Sequence, residues 1–444
     1  MHSAFRSALQ FAATTGLSKS VLSLVIKVGA AGLTYAGFVV LSRAMAASEY
    51  GYFAFGFSLA TILAIGAGMG QSTAILRFWP EGVAKGDRAR AVSDLGAGGA
   101  ITLGAGLAVG LGLAALCLVA GTLLSGTGPL WHIVAAGALV LPMALAEYNS
   151  AALRAQGSIW TALAPRDLLW RIALPVAAVA LLLSGVRLDG AGALWLAAAL
   201  LLAAIGAQYQ AARRRRYELK PRVRGVGAYW RHRGRVTNWL LLGALINTVA
   251  LNADTLVAGA LLDPASAGAY FNAMRTAGLI TLFSFSISLV IAPLISEHFH
   301  SGARDRAQIV LTTGTWAGFV FSLAGLVAFL VAGPEIMGLF GETYRDANLV
   351  LIVLGAGFVV DAATGPSRTV LMMTGQERSY AFVFGAMTVV SILAQIVATP
   401  VFGLVGIAVV SSVARGLTYL ALSVMSIRRA GLDPTIVGIL RLRR

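Results

Sequence analysis

Along the whole chain, apolar stretches of twenty or more residues alternate with short polar connections. A hydrocarbon core of about 30 Å takes about 20 apolar residues per helix, so the pattern predicts twelve spans. Six fall at 21–42, 53–76, 93–124, 130–152, 160–184 and 189–211, and six at 237–260, 269–296, 308–333, 347–371, 379–400 and 403–427. The expected fold is all-α: a polytopic membrane protein of about twelve transmembrane helices in two six-helix bundles. This divides the chain into an N-tail (1–20), a first bundle (21–211), a basic linker (212–236), a second bundle (237–427) and a basic C-tail (428–444).

Composition agrees with the pattern. Mean hydropathy is +0.81, and 58% of the 444 residues are hydrophobic against 12% charged, far from the make-up of a soluble domain. The net charge of +16 raises nucleic acid as a partner, but the cations sit in breaks between apolar segments. Counted by alternate connections, 25 Lys and Arg fall on one side of the predicted membrane and three (Arg43, Arg187, Arg345) on the other. By the positive-inside rule the rich side is cytoplasmic, with both termini and the central run from Arg213 to Arg235. That run holds ten cations and one acid, Glu218, and reads as a topology determinant that also meets anionic lipid heads. Cys117 is the single cysteine, so no cysteine cluster or intramolecular disulfide exists.

The halves repeat. Ser48-Glu49-Tyr50-Gly51-Tyr52-Phe53 opens the second span, and Ser266-Ala267-Gly268-Ala269-Tyr270-Phe271 opens the eighth, 218 residues later. Glu81, Gly86 and Arg88 follow the second span as Glu297, Gly302 and Arg304 follow the eighth. A six-plus-six duplication keeps both copies in one orientation, which places the pseudo-two-fold along the membrane normal and suggests a transporter.

The run LSRAMAASEYGYF at 41–53, a Gly-rich span, and RFWPEGVAKGD at 77–87 resemble the opening of Wzx-type polysaccharide flippases. These belong to the multidrug/oligosaccharidyl-lipid/polysaccharide (MOP) exporter superfamily, which also holds MATE exporters and the lipid II flippase. The resemblance is specific in this stretch and extends over the chain in span count and loop plan. It implies a MATE-like pair of bundles around a central cavity in a bacterial inner membrane. The implied substrate is undecaprenyl-diphosphate-linked oligosaccharide, moved from the cytoplasmic to the periplasmic leaflet. Polysaccharide polymerase and chain-length proteins are the implied partners, beside membrane lipids and without nucleic acid.

Ionisable groups inside spans are expensive and therefore functional candidates. Lys27, Glu147, Arg171, Arg275 and Arg415 are candidates for lining a substrate cavity, where Arg forks match diphosphate oxygens. Asp254 and Asp361 are candidates for a coupling ion or a switch, with H+ and Na+ both open. Arg77, Arg154 and Arg368 sit at cytoplasmic span ends, as membrane anchors or as a first landing site for diphosphate. Structural alternatives stand beside these roles. Lys27 has a stem long enough to snorkel, Arg171 is four residues after Asp167, and Asp254–Arg275 and Asp361–Arg415 are candidate ion pairs.

No metal site, cofactor or catalytic residue is expected. His298 and His300 are two apart at a loop, and Gly66, Gly68 and Gly70 lie within a span, suited to helix packing or bending rather than to a nucleotide. A transporter without enzymatic chemistry is the leading reading. A MATE-like exporter of cations would prefer acidic or aromatic cavity groups. A glycan polymerase or ligase would show a substantial periplasmic loop, whereas the longest non-cytoplasmic connection here runs from about Gly333 to Asp346.

Overall fold

The computed structural model describes residues 28–123 and 130–443. The N-tail (1–20) and Lys27 lie outside the described residues. Helices cover the expected spans: α1 (Val28–Ala44), α2 (Ala47–Ala67), α3 (Gln71–Ala84), α4 (Arg88–Leu123), α5 (Trp131–Ala155), α6 (Ile159–Leu163), α7 (Trp170–Leu183) and α8 (Gly190–Arg214). They continue as α9 (Val226–Leu261), α10 (Pro264–Gly278), α11 (Thr281–His300), α12 (Arg304–Gly338), α13 (Asn348–Thr364), α14 (Ser367–Met373) and α15 (Glu377–Ala430). Among the described residues eight helices are individually long and apolar enough to cross a membrane, or nine with the bent α11 counted as one span.

Several of the expected spans are broken within, each for a local reason. Gly70, in the left-handed region (φ 72), breaks the second span between α2 and α3. A Cβ there would lie 2.2 Å from the Thr237 carbonyl oxygen, so glycine is required. Pro165 lies in the π-helical turn Ala164–Leu169 that joins α6 to α7, and Gly365-Pro366 separates α13 from α14. Although continuous in hydrogen bonding, α15 contains 54 residues, about 80 Å if straight. Gly403 (φ 57, ψ −144) breaks it where the sequence separates the last two spans.

The chain forms two compact units, residues 1–45 with 59–245, and residues 46–58 with 246–444. In the first, α4 and α5 approach so closely that a Cβ on Gly110 would lie 2.6 Å from the Gly137 carbonyl oxygen. Around them Trp79, Leu95, Tyr148, Leu153, Leu163 and Leu219 form a core, and the Tyr148 hydroxyl donates to the Leu95 carbonyl (2.5 Å). The expected linker 212–236 is not a free tether. Leu219 is buried, the Gln156 side chain bonds both backbone groups of Glu218 (2.9 and 2.7 Å), and Arg222 N–H donates to Gly96 O (2.8 Å). From Val226 it is helical, as the start of α9. Arg213 to Arg216 stay exposed.

The second unit takes in 46–58 because of the repeated motif. The Tyr50 hydroxyl donates to Asn272 Oδ1 (2.6 Å), its ring packs edge-on against Phe271 and Tyr344, and Gly51 lies directly against the Pro264 carbonyl. Gly268 rests on Gly51 and Tyr50, so the two copies of the motif touch one another. The tail beyond Gly431 folds back as a strap on α12. Gln308 bonds both backbone groups of Asp433 (2.7 and 2.8 Å), and Thr315 and Trp316 donate to the carbonyls of Pro434 (2.8 Å) and Ile436 (3.1 Å).

Candidate functional site

Within the second unit, α9, α11, α12, α13, α14 and α15 line a partly open cavity of about 580 Å³. Asp361, Arg368 and Arg415 line it, with Asn247 and Tyr419. Gly365-Pro366 accounts for one of these positions: by ending α13 and restarting the helix as α14, it sets Arg368 on the cavity wall. The Arg368 guanidinium donates to Asn247 Oδ1 (3.4 Å) and lies over the Tyr380 ring (5.4 Å). Arg415 lies over Phe358 at 4.3 Å. Neither arginine is within 4.0 Å of a carboxylate among the described residues. Asp361 and Arg415 thus share a cavity without closing into a salt bridge, unlike the pair considered from the sequence.

A smaller pocket of about 80 Å³ shares the wall of Asn247, Leu251, Arg415 and Tyr419 and contains Asp254. This carboxylate is buried and accepts from three neutral donors: Tyr270 (2.7 Å), Ser411 (2.6 Å) and Gln395 (2.9 Å). Gln395 and Ser411 stand on opposite sides of the break at Gly403, so the carboxylate joins both halves of α15 to α9 and α10. The Asp254–Arg275 pair weighed from the sequence does not form as a salt bridge. Arg275 donates to Asn252 Oδ1 (3.0 Å) and lies over Phe271 (4.7 Å).

The first unit handles its charges differently. Glu147 pairs with Arg166, which approaches Asp167 (3.9 Å), and Asp167 pairs with Arg171 (3.6 Å). The π-helical turn carries both Arg166 and Asp167. Arg154 donates to the Ser150 carbonyl one turn earlier (3.3 Å), and Arg77 is exposed on α3. A second network was not legible as such. Arg233, in the basic run, bridges Glu81 (3.3 Å) and Asp94 (3.7 Å) with its guanidinium over Phe78 (4.2 Å).

Of the sequence-derived candidates, Asp361, Arg368 and Arg415 therefore meet in one cavity, with Asp254 in the pocket beside it. Glu147 and Arg171 belong to the ion network of the first unit. Asn247, Tyr419 and the hydroxyl-bearing face of α11 (Thr281, Ser284, Ser288) also line the large cavity. Sequence reasoning missed Tyr419 and that face. Their available signal was hydroxyls recurring at helical spacing in an apolar span.

The family described as polysaccharide biosynthesis protein matches residues 17–299, and the MatE family matches residues 240–397. A probable low-salt glycan biosynthesis flippase of Haloferax volcanii is 23% identical over 164 residues, 36% of this chain and 34% of its own length. The match thus spans about a third of that relative. In fold the chain is similar to an inward-facing multidrug resistance MATE family transporter of the MOP superfamily, with a TM-score of 0.70 at 13% identity, covering 92% of this chain and 98% of that one. It is also similar to the lipid II flippase MurJ in an inward closed conformation, with a TM-score of 0.66 at 14% identity, covering 95% and 92%. The span pattern, the helical fold and a family match over most of the chain lead to one assignment: this multi-pass membrane protein belongs to the polysaccharide biosynthesis protein family.

Proposed function

We propose that the protein is a flippase that moves undecaprenyl-diphosphate-linked oligosaccharide from the cytoplasmic to the periplasmic leaflet of a bacterial inner membrane. It works by alternating access, without catalysis, and both termini are cytoplasmic. One observation carries the reading. Arg368 and Arg415 line a cavity inside a membrane protein of this family and have no carboxylate partner among the described residues. A cation inside the membrane is expensive unless something answers it, and the Arg fork fits phosphate oxygens. The lipid tail stays in the bilayer while the diphosphate head occupies the cavity.

Arg77 and Arg154 are the proposed first landing site, and Asp254 and Asp361 the proposed coupling-ion or switch residues, with H+ or Na+ as the ion. Glu147, Arg171 and Arg275 are assigned to holding the helices around the path, and Lys27 keeps its sequence-based assignment to the substrate path. A polysaccharide polymerase and chain-length proteins are the proposed partners.

The test is transfer of a fluorescent undecaprenyl-diphosphate oligosaccharide across proteoliposomes. Native protein transfers it, while Arg415→Ala and Arg368→Ala, reconstituted at equal amounts, do so at least about tenfold more slowly, the equivalent of one lost charge-assisted hydrogen bond. The second reading, a MATE-like exporter of cations, draws on the MatE match at 240–397, which contains Asp254 and Asp361. Export of a cationic dye against a proton or sodium gradient, with no glycolipid transfer, would replace the first reading by the second.

A further inference from the structure

The large cavity of the second unit has walls of opposite hydrogen-bonding sense. One carries Asn247, Arg368 and Arg415. Guanidinium groups only donate, and Asn247, whose Oδ1 accepts from Arg368 (3.4 Å), keeps its amide protons for a ligand. The wall from α11 carries Thr281, Ser284, Phe285 and Ser288, which recur at three and four residues along one helix face. Two of its three hydroxyls have their single proton committed to the backbone one turn earlier, Thr281 to Gly278 O (2.7 Å) and Ser288 to Ser284 O (2.9 Å), so what Thr281 and Ser288 offer the cavity is lone pairs. The third, Ser284 Oγ, is buried without a hydrogen-bond partner among the described residues and can donate or accept. Asp361 adds a carboxylate that, when ionised, only accepts. Phe285 is 48% exposed and gives the same wall an aromatic face.

A ligand that answers both walls must present acceptors to one and donors to the other. Phosphate supplies only acceptors; sugar hydroxyls supply donors, and the C–H face of a sugar ring packs on an aromatic ring. We infer that the α11 wall is a saccharide subsite, in which Thr281, Ser288 and Asp361 accept hydrogen bonds from the hydroxyls of the sugar next to the diphosphate held by Arg368 and Arg415. This rests on the proposed function and extends it, since the same cavity then selects for the glycan as well as for the phosphate. At about 580 Å³ the cavity is in the range of sites that enclose a whole small molecule. Bare diphosphate would leave the acceptor wall unanswered, and so would a cation without hydroxyls.

The experiment is calorimetric titration of the full-length protein in detergent with two probes, geranyl diphosphate and the same molecule carrying one hexose on its diphosphate. Native protein binds the hexosyl probe about tenfold or more tightly than the bare one. In the Thr281→Val, Ser288→Ala double variant that ratio falls toward one, about three- to tenfold for each hydrogen bond lost. A set of deoxyhexosyl probes gives the same answer on the native protein without any substitution. Removal of a bonded hydroxyl costs the native protein that factor and costs the variant nothing further. Arg415→Gln weakens both probes alike and leaves their ratio unchanged. A ratio insensitive to the double variant and to every deoxy probe overturns the subsite while leaving the diphosphate reading intact. Failure of the native protein to bind either probe overturns both.

Discussion

The two units treat charge inside the membrane in opposite ways. In the first, Glu147, Arg166, Asp167 and Arg171 close into one ionic network, and Arg233, just before the seventh expected span, closes a second between Glu81 and Asp94. In the second, Arg368 and Arg415 face a cavity with aromatic rings beneath them and no carboxylate in reach among the described residues, and Asp254 is held by neutral donors alone. A closed ion pair holds helices together and resists removal of either partner. An open cation beside a cavity gains only its aromatic and amide contacts, and the rest of its desolvation is offset when an anion arrives. The same residue type is thus structural in one unit and ligand-directed in the other. Local geometry decides which.

The largest effect that distinguishes the units is expected at Arg166. Replacing it with Ala removes an ion-pair partner of Glu147, and thermal unfolding in detergent should show a loss of about 2 kcal/mol, below the range for fully buried pairs because both side chains keep some exposure. Replacing Glu147 and Arg166 together with Leu should recover most of that loss. A smaller and opposite effect is expected at Asp361. Asp361→Asn removes the one acid among the described residues that line the large cavity and should tighten binding of geranyl diphosphate about threefold at low ionic strength, the effect shrinking as salt is added.

Second to Arg166 in its effect on stability is the C-terminal strap. Gln308→Ala removes two hydrogen bonds to Asp433 and should destabilise by about 1–2 kcal/mol, with faster amide exchange at Asp433 as the local readout. Smallest is the cap of α10, where Asp263 accepts from Ser266 N–H (3.0 Å) and from its hydroxyl (2.6 Å). These bonds hold the carboxyl below its ordinary value, the Ser266 side-chain bond contributing most. A depressed carboxyl stabilises above its unfolded value, about 3.9, and the contribution is lost as pH falls through the lower folded value. Asp263→Ala should therefore cost about 0.5–1 kcal/mol at neutral pH, and this difference should shrink in acid melts below about pH 4.

Spans, loop charge and family were legible because lipid imposes simple rules. A backbone without water must be helical, apolar and about 20 residues long, and such runs can be counted. The repeated Tyr-Gly motif was legible as a repeat, but not its consequence. Gly51 and Gly268 let the two copies touch, which draws 46–58 into the second unit. Arg171 with Asp167 was visible at i,i+4, while Glu147 with Arg166 and Arg233 with Glu81 join residues on different helices, a distance that periodicity does not encode. Arg368 reads as an interfacial anchor if its span is continuous. It becomes a cavity residue through the Gly365-Pro366 break, a signal present in the sequence. The strap on α12 rests on backbone carbonyls, which carry no residue signature at all.

The contrast between the units can be tested directly by glycolipid transfer in proteoliposomes, comparing Arg415→Gln with Arg166→Gln, each normalised to folded protein. Arg415→Gln is expected to keep native thermal stability and to lose at least about tenfold in transfer, while Arg166→Gln melts earlier and transfers normally per folded molecule. Native transfer by Arg415→Gln, with the loss falling on Arg166→Gln instead, would contradict that contrast and would move the substrate path to the charged network of the first unit.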